Sequence, residues 1–374
     1  MAVGPHPDVV LIVPHLGPGG LQSVAAQLSG AWAASGKRVA VITLFGGDTV
    51  HTLHPDVARY DLYPSQGANS PRPASGPRPA SGPLRARLRS WSMDRLPALY
   101  ATQRRARASA GRGRASARGW IDSLAVDSLV GRAVPIPFAR RQHPRRSARR
   151  GVATRASRLA RLLQALGCPP AVSFATSANV IALLACRAVR SRLVVSERND
   201  PARQPAKYPF GELRRLLYPT AAAITANSRG VIAGLAALAP DTPVHFIPNP
   251  IAMPEQRAPC DSSRFLIVGR LSPQKAHDVL LPALARLPDR LAHWTLDVLG
   301  AGPLRSSLKQ QANDLGIEPR VRWAGHVAPA EWYQSAGAFV LPSRFEGTPN
   351  ALLEAMAHGL PAIVADASPG PLEL

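Results

Sequence analysis

Short apolar segments alternate with helical segments throughout the last third of the sequence, and this alternation limits the possible folds more than any other feature. Strands are predicted at 265–269, 294–299, 320–323, 338–341 and 361–364. The segments between them have helical spacing, at 276–287, 303–315, 329–335 and 349–358. Strands that alternate with helices in this way pack as a parallel sheet with helices on both faces.

The first half of the sequence opens with the same pattern. The apolar run 9–13 is followed by a glycine-rich turn, a helical segment at 21–35 and a second strand at 38–44. Further strands are predicted at 171–174, 193–196 and 222–226, and further helices at 155–167 and 231–238. A chain of 374 residues is long enough for two such domains. We therefore predict an α/β protein with domains at 1–250 and 251–374 and a ligand site in the cleft between them.

Most of the net charge of +22 comes from one segment of the first domain. Residues 65–150 contain 19 Arg, three Asp and neither Lys nor Glu, and Pro-Arg-Pro-Ala-Ser-Gly occurs there twice in tandem. Such a composition buries too little apolar surface to order itself, which predicts a largely disordered, low-complexity insertion. Two interpretations stay open: a solvated loop, or a contact with an anionic membrane surface.

The three cysteines have neither metal-ligand spacing nor the number needed for a disulfide framework, which favours a reducing compartment. No run of eighteen apolar residues occurs, and the first apolar run is interrupted by Pro14, as expected for a strand but not for a signal peptide. We expect a cytoplasmic protein, peripheral on the inner face of the membrane if the insertion binds lipid, with no metal site.

Two carboxylates, Glu346 and Glu354, lie eight residues apart around the start of a short predicted helix. Thr348 is a suitable N-cap, Pro349 suits the first helical position, and Gly359 can end the helix. The free N–H groups would be those of Asn350, Ala351 and Leu352. A helix N-terminus attracts anions, so the arrangement predicts a phosphate-bearing ligand with hydroxyl groups at both ends.

Further charged and glycine-rich positions follow other predicted strands of the second domain. Arg270 and Lys275 follow the first of these strands, and Gly300–Pro303 follows the next. Each feature alone would be a solvated charge or a tight turn. Because all of them lie at carboxyl ends of parallel strands, where ligands bind in open α/β sheets, together they predict a diphosphate site.

In this order, these motifs resemble those of the family 4 retaining glycosyltransferases, which have the GT-B fold. The matching motifs are Gly269-Arg270-Leu271 with Gln274-Lys275, the turn at 298–304, and Leu341–Gly347 with the two spaced glutamates. The resemblance covers residues 8–62 and 154–374. It implies two Rossmann-like domains facing a cleft. It also implies that Leu374 precedes the strand and helix with which the family returns to its first domain, so a truncated C-terminus is expected.

The resemblance also implies roles for individual residues. Arg270 and Lys275 would neutralise the donor diphosphate, Glu346 would hold hydroxyls of the transferred sugar, and Glu354 would bind the ribose. Arg270, Lys275 and Glu346 are the expected catalytic residues. The other expected donor-binding residues are Gly17, Gly19, Gly20, Gly302, His326, Gly347, Thr348, Asn350, Ala351 and Leu352.

Acceptor binding is expected at Glu197, Arg198 and Asn199, in a segment similar to that of members that extend amino-sugar chains on lipid carriers. The implied reaction moves a hexosyl or N-acetylhexosaminyl group from a nucleotide-diphosphate sugar, expected to be a UDP-sugar, with retention of configuration. The acceptor would be a glycan or a polyprenyl-diphosphate-linked glycan, as in polysaccharide biosynthesis. No cofactor is required.

Other classes of function were weighed against this one. A basic nucleic-acid-binding protein would explain the net charge, but the insertion has few aromatic residues and no recognition motif. An inactive, truncated relative is a further alternative. A dinucleotide-dependent oxidoreductase is disfavoured because Gly17-Pro18-Gly19-Gly20 lacks the G-x-G-x-x-G spacing.

Overall fold

The computed structural model describes residues 6–47, 49–63, 144–204 and 206–374, which form two α/β domains. Most of the predicted insertion at 65–150 lies outside these described residues, so its predicted disorder and membrane contact stay predictions. Among the described residues, no helix combines the length and the apolar character needed to cross a membrane.

Seven parallel strands form the described sheet of the first domain, in the order β3-β2-β1-β4-β5-β6-β7. They are β1 (Val9–Val13), β2 (Val39–Thr43), β3 (Val57–Asp61), β4 (Ala171–Phe174), β5 (Leu193–Glu197), β6 (Ala223–Ala226) and β7 (Val244–Phe246). Their helices are α1 (Gly20–Ala34), α2 (Pro144–Ala165), α3 (Thr176–Val189), α4 (Phe210–Leu217) and α5 (Ile232–Leu238). Short 3₁₀ turns occur at Tyr218–Thr220 and Arg229–Val231.

The central strand β1 is apolar on both faces, and this accounts for its uninterrupted run of Val, Leu and Ile. Val10 and Ile12 pack in one hydrophobic cluster with residues of α2 and α3, whereas Leu11 and Val13 pack in another with residues of α1. A parallel strand covered on both faces needs such a sequence. Each of these buried side chains stabilises the fold by about 1.5–3 kcal/mol.

The second domain has a smaller sheet, with described strands in the order β10-β9-β8-β11-β12, all parallel. They are β8 (Arg264–Val268), β9 (Thr295–Leu299), β10 (Val321–Gly325), β11 (Ala338–Leu341) and β12 (Ala362–Val364). Their helices are α6 (His277–Ala285), α7 (Arg305–Asp314), α8 (Ala330–Ser335), α9 (Asn350–Ala357) and α10 (Pro369–Leu372). 3₁₀ turns lie at Pro273–Lys275, Asp289–Leu291 and Glu318–Arg320.

The predicted strands and helices of the second domain are confirmed to within about two residues at each end, the usual uncertainty of helix and strand boundaries. In the first domain, β3, β7, α3 and α4 were not predicted. β3 is an edge strand with exposed Ala58 and Arg59, so it lacks an apolar run. α3 is buried on most of its surface, so its sequence has no polar stripe to reveal a helical period.

Helix α2 begins at Pro144, earlier than predicted, so its first residues belong to the segment that was assigned to the insertion. The helix is joined to the end of β3 by cation–π contacts. The guanidinium carbons of Arg155 and Arg158 lie 5.3 and 4.5 Å from the centre of the Tyr63 ring. The described residues on either side of the 64–143 gap are therefore in contact with each other.

Both sheets reverse their strand order at one point, between β1 and β4 in the first domain and between β8 and β11 in the second. At such a switch point the loops that follow the strands diverge and leave a crevice. The glycine-rich turn follows β1, Arg270 and Lys275 follow β8, and Glu346 follows β11. The fold thus brings the predicted ligand-binding residues to the two crevices.

The last residues of the chain return to the first domain, which the sequence analysis did not expect. Glu373, just after α10, accepts hydrogen bonds from the Ser228 hydroxyl at 2.9 Å, the Arg229 amide at 2.7 Å and the Gly230 amide. These groups lie at the start of the 3₁₀ turn that leads into α5. The carboxylate therefore caps a helix of the other domain.

Replacement of Glu373 by Ala should lower the free energy of unfolding by about 1 kcal/mol, because three donors lose their acceptor. Urea denaturation of the full chain measures this change. Glu255→Ala is the matched control, since Glu255 is exposed and makes no hydrogen bond or ion pair with the described residues. Equal stability of the two variants would contradict the capping role.

Candidate functional site

The N-termini of two helices from different domains meet in the cleft. α1 begins at Gly20 and α9 at Asn350, and the Asn350 side-chain amide donates to the Gly20 carbonyl oxygen at 3.1 Å. Each helix N-terminus carries about half a positive charge. Two such ends in contact make the cleft a site for an anion.

Several backbone amides at the start of α9 have no acceptor within the described part of the protein. They belong to Gly347, Thr348, Asn350 and Ala351. The prediction for Leu352 was wrong, because its amide donates to the Pro349 carbonyl oxygen at 3.1 Å. The free donors therefore lie slightly earlier along the chain than the sequence analysis placed them.

Thr348 does not cap α9, contrary to prediction. The N-cap position is held by Pro349, and no side chain bonds to the first turn. The Thr348 hydroxyl donates to the Asn227 carbonyl oxygen, and the Asn227 amide group donates to the Thr348 carbonyl oxygen at 3.2 Å. Thr348 therefore joins the two domains and leaves the start of α9 open to a ligand.

The predicted end of α9 is confirmed. Gly359 has φ of 82° and follows the helix directly. Its amide donates to Met356 and the Leu360 amide donates to Ala355, at 2.9 and 3.0 Å. This is the paired hydrogen bonding of a Schellman motif.

Lys275 and Glu346 form an ion pair at the centre of the second-domain crevice. Lys275 Nζ lies 2.5 Å from Glu346 Oε1, and Gln274 Nε2 lies 3.3 Å from Glu346 Oε2. Glu346 is only 7% exposed, and its backbone amide donates to the Ser368 hydroxyl at 3.0 Å. The carboxylate is therefore held in one position, with an ammonium group beside the free amides of the α9 loop.

Arg270 is exposed at the edge of the same crevice and has no hydrogen-bond or ion-pair partner among the described residues. Its charge lies close enough to His15, just before the glycine-rich turn, to affect that side chain. Burial lowers the pKa of His15, and the Arg270 charge lowers that pKa further. His15 Nδ1 accepts a hydrogen bond from the Gly17 amide at 3.1 Å. His15 is a cleft residue that the sequence analysis missed.

Glu354 lies in the second turn of α9 and is half-buried. The Tyr333 hydroxyl donates to Glu354 Oε2 at 2.9 Å. Burial raises the pKa of Tyr333 well above its ordinary value, and the Glu354 charge adds to that effect, so the tyrosine is a neutral donor. This contact orients Glu354, and its sequence signal is no more than an aromatic residue on a predicted helix.

His326 is exposed after β10 and lies near His51 of the first domain. Burial lowers the pKa of His51, a hydrogen bond with the Gly19 backbone raises it, and the nearby His326 lowers it. His326 and Gly19, both predicted to bind the donor, therefore both lie near His51. His51 was not predicted.

Two glycines of the predicted site allow close backbone approaches. A Cβ atom on Gly347 would lie 2.5 Å from Asn227 Oδ1 and 2.8 Å from the Arg198 carbonyl oxygen. A Cβ atom on Gly302 would overlap the Leu271 carbonyl oxygen. Both positions therefore need glycine because another loop passes there, and this packing explains Gly302 without any ligand.

The residues predicted to bind the acceptor divide into different roles. Glu197 is 1% exposed and accepts hydrogen bonds from the Tyr218 hydroxyl at 2.6 Å and the Thr176 hydroxyl at 3.2 Å. Burial raises the pKa of Glu197, against the effect of these donors. The structure therefore corrects the prediction for Glu197, which belongs to a buried polar network and not to a substrate surface.

Arg198 and Asn199 are partly exposed. The Arg198 guanidinium donates to Asn249 Oδ1 at 2.5 Å and lies over the Phe174 ring, 5.2 Å from its centre. Burial lowers the pKa of Arg198 to about 10, so it remains a cation at neutral pH. Asn199 accepts a hydrogen bond from the Asp200 amide at 3.0 Å. Their contact with an acceptor stays a prediction.

No group of three or more His, Cys, Asp or Glu side chains in the described part of the chain is arranged to hold a metal ion. The cations and backbone amides of the site can stabilise negative charge without a metal ion. The ammonium group of Lys275 pairs with a buried carboxylate, and the exposed Arg270 guanidinium and four free amides belong to the loops that follow β8 and β11. Such fixed donors stabilise negative charge that develops on a phosphate.

Comparison with solved structures identifies the architecture. The chain aligns over 96% of its length with 82% of the sucrose-phosphate synthase of Thermosynechococcus elongatus, with a TM-score of 0.64 and 14% identity. It aligns over 98% of its length with 83% of Anabaena HepE in complex with UDP and glucose, with a TM-score of 0.63 and 16% identity. The chain has the GT-B fold. The prediction of fold class is thereby confirmed.

Sequence comparison finds similarity to glycosyltransferases. Residues 262–374, most of the second GT-B domain, match the family described as "Glycosyl transferases group 1". The lipopolysaccharide 1,6-galactosyltransferase of Salmonella typhimurium is 38% identical over 29% of this chain and 32% of its own. An uncharacterized glycosyltransferase of Haemophilus influenzae is 33% identical over 34% of this chain and 36% of its own. The chain thus spans about a third of the length of these relatives.

A longer match includes part of the first GT-B domain. The Campylobacter jejuni N-acetylgalactosamine-N,N'-diacetylbacillosaminyl-diphospho-undecaprenol 4-alpha-N-acetylgalactosaminyltransferase is 31% identical over 57% of this chain and 62% of its own. The resemblance that the motifs indicated therefore extends beyond the donor-side residues.

His277, next to the Lys275 segment, should make stability depend on pH. It is 2% exposed, and burial, followed by the Lys275 charge, lowers its pKa from 6.5 to about 4. Between pH 6.5 and pH 4 the unfolded chain binds more protons at this histidine than the folded chain does. The contribution of the neutral His277 to the free energy of unfolding is therefore complete above pH 6.5 and is lost as the pH falls to 4. The loss should reach about 3 kcal/mol.

The measurement is urea denaturation of the parent and His277→Gln proteins at pH 7 and pH 4.5. We expect the parent to lose more stability than the variant on acidification. His293→Gln is the matched control for general acid effects. A parent and a His277→Gln variant with parallel pH profiles would contradict the assignment.

Proposed function

We propose that the protein is a glycosyltransferase that moves a sugar from a nucleotide-diphosphate donor to an acceptor hydroxyl. The observation that carries this proposal is the contact between two helix N-termini from two GT-B domains, one of which directly follows the loop that carries Glu346 and its partner Lys275. An anion bound there contacts both domains. A diphosphate matches the two cations and the row of free amides.

In this reaction the bond between the sugar and the diphosphate breaks, and negative charge grows on the leaving group. Lys275, Arg270 and the amides around Asn350 would stabilise that charge. Glu346 would accept hydrogen bonds from hydroxyls of the transferred sugar, and Glu354, oriented by Tyr333, would accept them from the ribose. The remaining requirement is the correct placement of the acceptor hydroxyl.

The finer features of the reaction are supported to different degrees. A UDP-sugar donor is favoured because the GT-B neighbour HepE has been solved with UDP-glucose. A glycan or polyprenyl-diphosphate-linked acceptor and an N-acetylhexosaminyl donor are favoured by the name of the Campylobacter relative. Retention of configuration and membership of family 4 rest on the motif resemblance alone.

The alternatives have no support in the described residues. Nucleic-acid binding and contact with an anionic membrane were both inferred from the arginine-rich segment, most of which lies outside the described residues, and they stay predictions. An inactive relative would not need a Lys275–Glu346 pair surrounded by free amides. The proposed activity itself is the direct test of that alternative.

The activity test is a screen of UDP-hexoses and UDP-N-acetylhexosamines for sugar transfer or donor hydrolysis. In the Lys275→Met and Glu346→Gln variants we expect turnover of the accepted donor to fall at least about a hundredfold, as for the loss of a group that stabilises transition-state charge. Lys309→Met is the matched control, since Lys309 is exposed on α7.

Thermal unfolding of all variants separates loss of function from loss of fold. The site assignment would be wrong if the Lys275→Met and Glu346→Gln proteins turned over donor as fast as the Lys309→Met protein. Absence of turnover of every donor by the parent protein would contradict the proposed function itself.

A further inference from the structure

A continuous series of side-chain hydrogen bonds joins the first domain, the segment between the domains and the start of α9. Arg198 Nη1 donates to Asn249 Oδ1 at 2.5 Å, and Asn249 Nδ2 donates to Asn350 Oδ1 at 2.6 Å. Asn350 Nδ2 then donates to the Gly20 carbonyl oxygen at 3.1 Å. We call these four residues the amide relay.

Chemistry fixes the direction of the amide relay. Arginine has only donors and a backbone carbonyl only accepts, so both asparagines must present oxygen toward Arg198 and nitrogen toward Gly20. The Asn249 amide group also donates to the Thr348 carbonyl oxygen at 3.1 Å, which requires the same orientation. Neither asparagine can therefore flip without breaking hydrogen bonds on both of its sides.

The amide relay begins at Arg198, which follows β5, lies over the Phe174 ring and is partly buried. Among the described residues, the Asn249 oxygen is the side-chain acceptor of its guanidinium, whose Nε is buried without a partner. Hydrogen bonds in series polarise one another, so the middle members of the amide relay hold its far end more firmly than isolated pairs would.

The end of the amide relay is the glycine-rich turn. Within the described residues, the bond from Asn350 to Gly20 is the one hydrogen bond that ties residues 14–20 to the second domain. Other interdomain hydrogen bonds, such as those from Thr348 to Asn227 and from Ser228 to Glu373, involve different loops. Backbone hydrogen bonds to the carbonyl oxygens of Pro14 and Leu16 hold the turn within the first domain. The bond from Asn350 adds its direct connection to the start of α9.

We propose that Asn249 and Asn350 are positioning residues that hold the glycine-rich turn over the donor site through the amide relay. This inference rests on the proposed glycosyl transfer for its catalytic consequence. The turn comes from the first domain, so its position affects how the acceptor side meets a donor that is bound mainly by the second domain. Loss of the amide relay should lower the rate of transfer more than the affinity for donor.

The direction of the amide relay provides a sharp test at Asn249. Asn249→Asp keeps an acceptor for Arg198 and nearly the same shape, but it cannot donate to Asn350 or Thr348. If Asn249 only anchored Arg198, the Asp variant would behave like the parent. If the amide relay operates, Asn249→Asp should be impaired as much as Asn249→Ala.

The primary measurement is amide hydrogen exchange of the segment 17–24 in the unliganded full-length protein. We expect exchange there to become at least about threefold faster in Asn249→Ala, Asn249→Asp and Asn350→Ala. The Asn249→Ala/Asn350→Ala double variant should exchange no faster than either single variant, since the two residues act in one series. Asn313→Ala, at an exposed position of α7, is the matched control.

Kinetics with the accepted donor supply the second measurement. We expect kcat for transfer to fall about tenfold in the Asn249 variants, with donor KM changed by less than about threefold. Parent-like exchange and kcat in Asn249→Asp would overturn the proposal, as would additive effects in the double variant. If the parent transfers no sugar, the proposed function fails, and the exchange measurement still decides whether the amide relay holds the turn.

Discussion

The like-charged ends of two helices lie against each other across the cleft, and the rest of the site depends on this electrostatic constraint. The positive ends of α1 and α9 repel, and Lys275 and Arg270 add further positive charge nearby. Within the described residues of the crevice, Glu346 offsets part of this charge, held by Lys275 and Gln274. Such a concentration of positive potential in a cleft favours a multiply charged anion over a neutral ligand.

Sequence reasoning predicted that these residues lie together because the parallel-sheet pattern places strand ends at one edge. Once 265–269 and 338–341 were assigned as strands, Arg270, Lys275 and Glu346 had to lie at one edge of one sheet. The same reasoning could not identify Tyr333, His15 or His51, because each reaches the cleft through tertiary packing. No periodicity in the sequence relates them to Glu354, Arg270 or Gly19.

Contacts distant in sequence account for two of the wrong predictions. Thr348 is a good N-cap by local propensity, but its hydroxyl bonds to Asn227 in the other domain. Glu197 lies at the end of a strand, close to where the other predicted site residues lie, but its carboxylate belongs to a buried network with Tyr218 and Thr176. A single sequence does not reveal such contacts. Leu352 differs, because its amide is taken by a local bond to the Pro349 carbonyl oxygen in a tighter first turn.

The contacts of Tyr63 with Arg155 and Arg158 join the end of the first-domain sheet to α2 on the far side of the 64–143 segment. The entropy of closing a loop rises only with the logarithm of its length. A change in the length or composition of that segment should therefore cost the fold little free energy and leave the cleft, which other loops form, in place.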